Sequence, residues 1–386
     1  MIALAAPMIA ALALTVLLLT LESTIGLLVW NPPYRSIIYG ILAAGLFPLL
    51  PAVAAGIASL AGWSKTSRTL RVGTVVLSVL VVVILMGAGI FLSIERHTLS
   101  GPVPESNRLD TGGNPQLVRL AFSSDCHVGS GRNDENATRS ILRTVNSGGY
   151  DAFFALGDFS ETGFPGTDLQ EAAELFASEL VSVPIATIMG NHDGLVGGAW
   201  RFGKYFNSER YYRVDSGTNH VIALDLLWGT ETFGRAQKKW LVETLASIPQ
   251  SDTTIVISHC YFRASGYTDP ETGMEWFDHP AMIGEISPIL EEGGVDLVVS
   301  GHNHFMEYLE HPSSGGGTAK GGGTSTAYAV IGTFGGKLDP DRTHTSPDSL
   351  WFDNDHFGFL EVVLEERGME LTFRDETGKA LRTVRR

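Results

Sequence analysis

Seven residues of metal-ligating type, Asp125, His127, Asp158, Asn191, His259, His302 and His304, recur through this 386-residue chain, each just past an apolar run. Leu117–Phe122 leads into Ser123-Ser124-Asp125-Cys126-His127, and Ala152–Leu156 into Gly157-Asp158. Ile185–Met189 leads into Gly190-Asn191-His192-Asp193, Thr254–Ser258 into His259, and Val295–Ser300 into Gly301-His302-Asn303-His304. Residues two apart on an extended segment point to the same side, so Asp125 and His127 can address one ion. A mixed oxygen and nitrogen donor set suits Mn, Fe, Zn or Co better than Ca or Mg, and does not choose among the four. Any one motif is weak evidence, since a lone histidine after a strand is more often structural. Five in sequence, each at the end of an apolar run, are a different matter.

These runs read as five strands of an α/β domain, and in such domains sites gather just past the C-terminal ends of strands. The rest of the chain beyond residue 115 alternates short apolar runs with Gly, Asp, Asn and Ser clusters, as a soluble α/β domain does. Phe357 to Arg386 reads as further strands with turns at Glu366-Arg367-Gly368 and Glu376-Thr377-Gly378, expected to close a second sheet. Ser313 to Thr326, rich in Gly, Ser and Thr, reads as a loop.

Asp-x-His, Gly-Asp, Gly-Asn-His-Asp, a lone His and Gly-His-x-His, in that order, resemble the calcineurin-like metallophosphoesterase superfamily, over about residues 116–386. The resemblance implies a β-sandwich flanked by helices, a four-layer α/β/β/α arrangement. By the same resemblance Asp125, His127 and His304 hold one ion, Asn191, His259 and His302 hold the other, and Asp158 bridges them. The chemistry is coherent: two divalent ions about 3.5–4 Å apart neutralise an anionic phosphate ester, bind its oxygens and lower the pKa of a water between them. His192 is then the general acid at the leaving oxygen, and Glu161 its orienting partner. Thr162 stands where the protein-phosphatase branch carries an arginine, which argues against a protein Ser/Thr phosphatase. Arg263, shortly after His259, is a candidate phosphate contact.

The segments Tyr211–Gly217, His220–Asp225 and Gln237–Leu241 look like the branch holding cyclic-nucleotide phosphodiesterases and purple acid phosphatases, as a hairpin and a covering helix. Purple acid phosphatases place a tyrosine ligand where Glu161 stands and lack the histidine of Asp-x-His, so a coloured iron site is not expected. His97, His220, His279, His311, His344 and His356 follow no ligand pattern and read as surface or packing residues. Cys126 and Cys260 form no disulfide framework and read as small buried residues.

Three apolar stretches, about Ile2–Trp30, Ile37–Trp63 and Val72–Ile94, each exceed the roughly 20 residues that cross a bilayer core. The first begins without a basic segment, so a retained helix is expected rather than a signal peptide. Residues 1–95 therefore read as a transmembrane anchor of three helices, 96–115 as a linker and 116–386 as the catalytic domain. The loop Ser64–Arg71 carries Lys65, Arg68 and Arg71 and no acid, which places it in the cytoplasm and the catalytic domain outside. The net charge of -15 belongs to the soluble part and opposes a nucleic-acid partner.

The reading is a multi-pass membrane phosphoesterase with two divalent ions that acts outside the cytoplasm. A phosphodiester is favoured over a monoester by the branch resemblance alone, and tethering suits a lipid-linked phosphate. Two alternatives stand: a catalytically silent, metal-binding membrane receptor or scaffold, and a nuclease of the same superfamily. An intact ligand set with His192 opposes the first, and the acidic domain opposes the second.

Overall fold

A computed structural model describes residues 49–98, 117–163, 166–195, 198–207, 209–312, 325–366 and 368–386. The chain divides into two compact units, Met1–Gly101 and Pro102–Arg386.

In the first unit, helix α1 (Leu49–Leu60) and helix α2 (Ser64–Thr98) form a hairpin turned at Gly62, which adopts a φ of 76°. Counting only residues whose side chains are described, no helix is long and apolar enough to cross a membrane. The first expected span lies outside the described residues. The second is described only from Leu49, as α1. The third falls within the 35 residues of α2, whose side chains from residue 84 onward are outside the described set. The expected linker, from residue 99 onward, and the Gly/Ser/Thr loop over 313–324 are also outside it.

The second unit runs β1 (Arg119–Ser123), α3 (Glu135–Ser147), β2 (Ala152–Ala155), α4 (Thr167–Glu179), β3 (Ile185–Thr187) and α5 (Gly198–Tyr205). It continues with β4 (Tyr212–Ser216), β5 (Asn219–Ala223), α6 (Arg235–Ser247), β6 (Thr253–Ser258), β7 (Tyr267–Thr268), β8 (Glu275–Trp276), α7 (Pro280–Glu285) and α8 (Ser287–Glu292). It ends with β9 (Leu297–Ser300), β10 (Met306–Pro312), β11 (Ser325–Ile331), β12 (Ser349–Asp353), β13 (Gly358–Glu365), β14 (Gly368–Asp375) and β15 (Ala380–Arg385).

Among the described residues these strands form a sheet ordered β15-β14-β13-β1-β2-β3, a second ordered β12-β10-β11-β9-β6-β5-β4, and the small β7-β8 ribbon. The strands before the motifs are short and buried on both faces, as parallel strands covered by helices must be. One core joins the facing sheets, with Phe122, Phe154 and Leu360 from the first meeting Ile257, Val299 and Met306 from the second. A second core packs Val256 and Val298, on the far face of the second sheet, against Leu241, Leu245, Met282 and Leu290 of helices α6, α7 and α8. On the far face of the first sheet Phe153 meets Phe334, which touches Phe176 of α4. The layers are thus helix, sheet, sheet, helix, a mixed α/β fold of the metallophosphoesterase type.

The C-terminal strands differ from expectation. They extend the sheet of β1, with Arg119↔Val363 to Phe122↔Leu360 in antiparallel register, and do not close the other sheet. An ionic knot explains the choice: Glu361, almost fully buried on β13, is held by Arg119 of β1, Arg374 of β14 and Tyr150. The hairpin of β4 and β5, with α6 behind it, forms as expected.

Candidate metal centre

The ligand-type residues come from two sheets and meet at one end of the sandwich. Asp125, His127, Asp158 and Asn191 follow strands of the first sheet; His259, His302 and His304 follow β6 and β9 of the second. Backbone bonds tie the loops together: Asp125 N–H donates to Gly157 O at 3.0 Å, His127 N–H to Asp158 O at 3.0 Å, and Gly301 N–H to His259 O at 3.0 Å. Glycine is required where the turns touch. A Cβ on Gly157 would lie 2.4 Å from the backbone nitrogen of Gly190, and one on Gly190 would lie 2.2 Å from that of Asp158. Among the described residues the non-glycine positions with positive φ are Asp125 (71°), His127 (44°), Asp158 (51°) and His302 (72°). Every one is a candidate ligand. Each left-handed residue costs of order 1–3 kcal/mol and persists only where the surroundings impose it.

Two clusters share one carboxylate. In the first, His127 Nε2 and His304 Nε2 are 3.1 Å apart, and Asp125 Oδ1 lies 3.7 and 3.4 Å from them. In the second, Asn191 Oδ1 is 2.8 Å from both His259 Nε2 and His302 Nδ1. Asp158 Oδ2 lies between, 3.6 Å from His127 Nε2 and 3.4 Å from His259 Nε2. The outer nitrogens are committed elsewhere: His259 Nδ1–H donates to Leu156 O at 2.8 Å and His304 Nδ1–H to Lys337 O at 2.7 Å. That fixes the tautomer and turns the Nε2 lone pairs inward. Asp125 Oδ1 is buried with no hydrogen-bond partner among the described residues. Lone pairs converging on a buried, unpartnered carboxylate oxygen are what a cation satisfies, so the residues fit two metal ions.

The same crowding sets the protonation of the side chains. Burial alone would raise Asp125 and Asp158, but the facing imidazoles hold both below the ordinary carboxylate value. Burial opposes charge on His259, yet Asp158 and Asp125 outweigh it and lift its pKa to about 9. Burial and the charge of His259 push His302 down to about 3. Metal loading of this centre therefore displaces protons.

Glu161 and His192 are placed differently from the expectation. The Glu161 carboxylate lies 3.0 Å from His127 Nδ1 and 4.0 Å from His192 Nδ1. His192 Nδ1–H donates instead to the carbonyl of Glu161 at 2.7 Å. Its main-chain N–H donates to Asp158 Oδ1 at 2.8 Å, and its ring packs edge-on against His127 with centroids 4.7 Å apart. Arg263 does not enter the site: it pairs with Asp348 at 3.2 Å and lies over the Tyr328 ring, so the expected phosphate contact is withdrawn. Cys126 and Cys260 are buried free thiols, each donating to a carbonyl.

Sequence reasoning missed three supports. Asp193 accepts from Phe159 N–H, Ser160 N–H and Gly190 N–H at 2.9–3.0 Å, clamping the Gly-Asp turn to the Asn-His turn. Asp339 accepts from His304 N–H at 2.7 Å. Gly336 sits so close that a Cβ there would lie 2.6 Å from Asp125 O and 2.9 Å from His127 Cδ2. Its signal was Gly332-Thr333-Phe334-Gly335-Gly336 after the apolar run of β11, the same pattern as the motifs but without a ligand-type residue.

Residues 118–306 match the calcineurin-like phosphoesterase family model. Human tartrate-resistant acid phosphatase type 5 is 23% identical over 286 residues, 63% of this chain and 81% of that protein. Purple acid phosphatase 3 of Arabidopsis thaliana is 28% identical over 127 residues, 33% of this chain and 30% of its own length. Among solved structures, the purple acid phosphatase PPD1 of yellow lupin superposes with a TM-score of 0.57 at 17% identity, covering 69% of this chain and 53% of that one. GAP50, described as the anchor in the inner membrane complex of Plasmodium, superposes with a TM-score of 0.54 at 16% identity, covering 69% and 88%. The chain carries a calcineurin-like phosphoesterase domain with purple acid phosphatase relatives and is a metal-dependent phosphoesterase.

Proposed function

We propose that the domain hydrolyses phosphodiesters in preference to monoesters, with Asp125, His127 and His304 on one ion, Asn191, His259 and His302 on the other, and Asp158 shared. The observation that carries the ligand assignment is the position of Asp158 Oδ2, 3.6 and 3.4 Å from one imidazole nitrogen of each cluster. Two divalent ions held there supply charge neutralisation and an acidified water. The residues supply the rest. Asp158 ties the two sets together, and His192 as the imidazolium gives its Nε2 proton to the leaving oxygen and is left neutral, with Nδ1–H still held by the Glu161 carbonyl. The preference for a diester rests on the resemblance of Tyr211–Gly217, His220–Asp225 and Gln237–Leu241 to the branch that holds cyclic-nucleotide phosphodiesterases.

The test is hydrolysis by the metal-stripped protein on re-addition of Mn, Zn, Fe or Mg, with bis-p-nitrophenyl phosphate against p-nitrophenyl phosphate. Metal-dependent turnover, faster on the diester and lost in Asp158→Asn, is expected. A folded protein that binds two ions and turns over neither ester points to the silent-scaffold reading.

The same reading places the enzyme at the outer face of a membrane, held by its N-terminal helices, with a lipid-linked phosphate as a suitable substrate. Support comes from the inverted side-chain distribution of α1 and α2. Their buried positions include Ala55, Ala58, Ser67, Thr74 and Ser78, while Val53, Ile57, Leu60, Val72, Val76 and Val83 are more than half exposed. Ser67 Oγ–H bonds across to Ala55 O at 3.1 Å. Small and hydroxyl residues between helices with branched aliphatics outward is a lipid-solvated pattern. Ser64–Arg71, expected as a loop, forms the first turns of α2; its Lys65, Arg68 and Arg71, with no acid among them, support a cytoplasmic end of that helix and an outward catalytic domain.

A further inference from the structure

His302, on the Asn191/His259 side of the centre, is enclosed by aromatic rings. Trp228 meets it edge-on at 5.1 Å between centroids, Trp276 at 5.4 Å, and Tyr261 lies nearly parallel to it at 5.9 Å. The two tryptophans also touch each other, at 5.2 Å and close to perpendicular. They are delivered by separate loops. Trp228 lies beyond β5, where its carbonyl is bonded by the Cys260 thiol. Trp276 lies on the β7-β8 ribbon directly opposite Tyr267, whose ring is parallel to its own. The ribbon is pinned to the centre through Asp339, which interacts with Tyr267 and accepts from the main chain of His304.

Steadying one imidazole does not require this much aromatic surface. Tyr261 is already buried against the ring face and serves that purpose. Trp228 and Trp276 are each left partly open to solvent beside the ligand cluster. A rigid aromatic corner next to an anion-binding centre receives a flat, apolar group at little entropic cost. We propose that Trp228 and Trp276 form a subsite that stacks an aromatic substituent, an aryl ring or a nucleobase, of the phosphoester bound at the metals. They would discriminate aromatic from alkyl esters, with Asp339 and Tyr267 as positioning residues. The inference rests on the phosphoester reading of the centre.

The experiment uses the full-length protein in detergent, loaded with Mn, and measures the affinities of phenylphosphonate and methylphosphonate, which share the anionic head. The wild type is expected to bind the phenyl compound about tenfold more tightly, the scale of one ring stacked on an aromatic side chain. Trp276→Ala and Trp228→Ala should each bring the two affinities to within about twofold, with two ions still bound by metal analysis. Trp276→Phe should restore most of the preference. Equal wild-type affinities would overturn the proposal. So would variants that weaken both phosphonates alike or shed an ion, since the tryptophans would then only support His302. If neither phosphonate binds and no ester is hydrolysed, the phosphoester reading itself fails and takes the subsite with it.

Discussion

His192 and Glu161 are neighbours with separable duties, and substitutions tell them apart. His192 is held at Nδ1 by a main-chain carbonyl, so its service at Nε2 does not need the Glu161 carboxylate. His192→Ala is expected to lower kcat by about 10²–10⁴, the usual worth of a general acid. The loss should be large on esters with alkyl leaving groups and small on p-nitrophenyl esters, whose leaving oxygen needs no proton. A rate series over leaving groups checks this, and equal losses across it would exclude His192 as the acid. Glu161 instead bonds the outer nitrogen of His127, the arrangement that raises a ligand's basicity. Glu161→Gln is expected to weaken metal retention about 10–100-fold while leaving the leaving-group dependence unaltered. Titration with a competing chelator reads the first quantity and the rate series the second. A Glu161→Gln protein that holds its metals normally but shows the His192→Ala profile would restore the role first expected from the sequence.

At the scale of elements, the turns hold the ligands and the sheets hold the turns. Gly336 closes the loop after β11 against Asp125 and His127. Gly336→Ala is expected to lose at least tenfold in metal affinity for a small change in melting temperature, because the intruding methyl meets the ligand loop rather than the core. Calorimetry beside metal analysis separates the two. The knot at Glu361 carries a pH dependence. Burial would raise its carboxyl, but Arg374, Tyr150 and Arg119 hold it below the ordinary glutamate value. The stability it contributes is therefore present above the unfolded-state pKa and is lost as pH falls through the lower, folded one. Glu361→Gln should cost about 2 kcal/mol at neutral pH, as expected for hydrogen bonds to a charged group, and should flatten the acid limb of the stability curve. An unchanged acid limb would mean that the knot is not what the protons break.

The strand-end motifs were legible because the pattern is local: an apolar run, a small residue, then a ligand. Sheet membership was not, since pairing β13 with β1 depends on residues some 240 positions apart such as Arg119 and Glu361. Asp339 was missed because it acts on a main-chain N–H, which has no residue-type signature, and Gly336 because its strand-end segment carries no ligand-type residue.

For the molecule as a whole, the proposed tether turns on what solvates α1 and α2. Val79 and Val83 are about half exposed on the helix pair, at 48% and 58%. In water, exchanging exposed valines for aspartates is close to neutral and aids solubility. In a bilayer each aspartate near the middle of a span costs about 2.5–3.5 kcal/mol on an insertion scale. The full-length protein carrying Val79→Asp and Val83→Asp is expected to lose its membrane fraction, whereas the wild type should stay in the pellet after alkaline carbonate. A reporter joined after Arg96 in the otherwise native chain then reads the side, and activity only outside the cytoplasm is expected from the basic first turns of α2, with Lys65, Arg68 and Arg71. A wild type that carbonate extracts, or a double variant that fractionates like it, would sink the tether. The outcome bears on substrate as well: a centre held at a lipid surface meets phosphoesters at the concentration of the interface, where a lipid-linked diester is abundant and a soluble one is not.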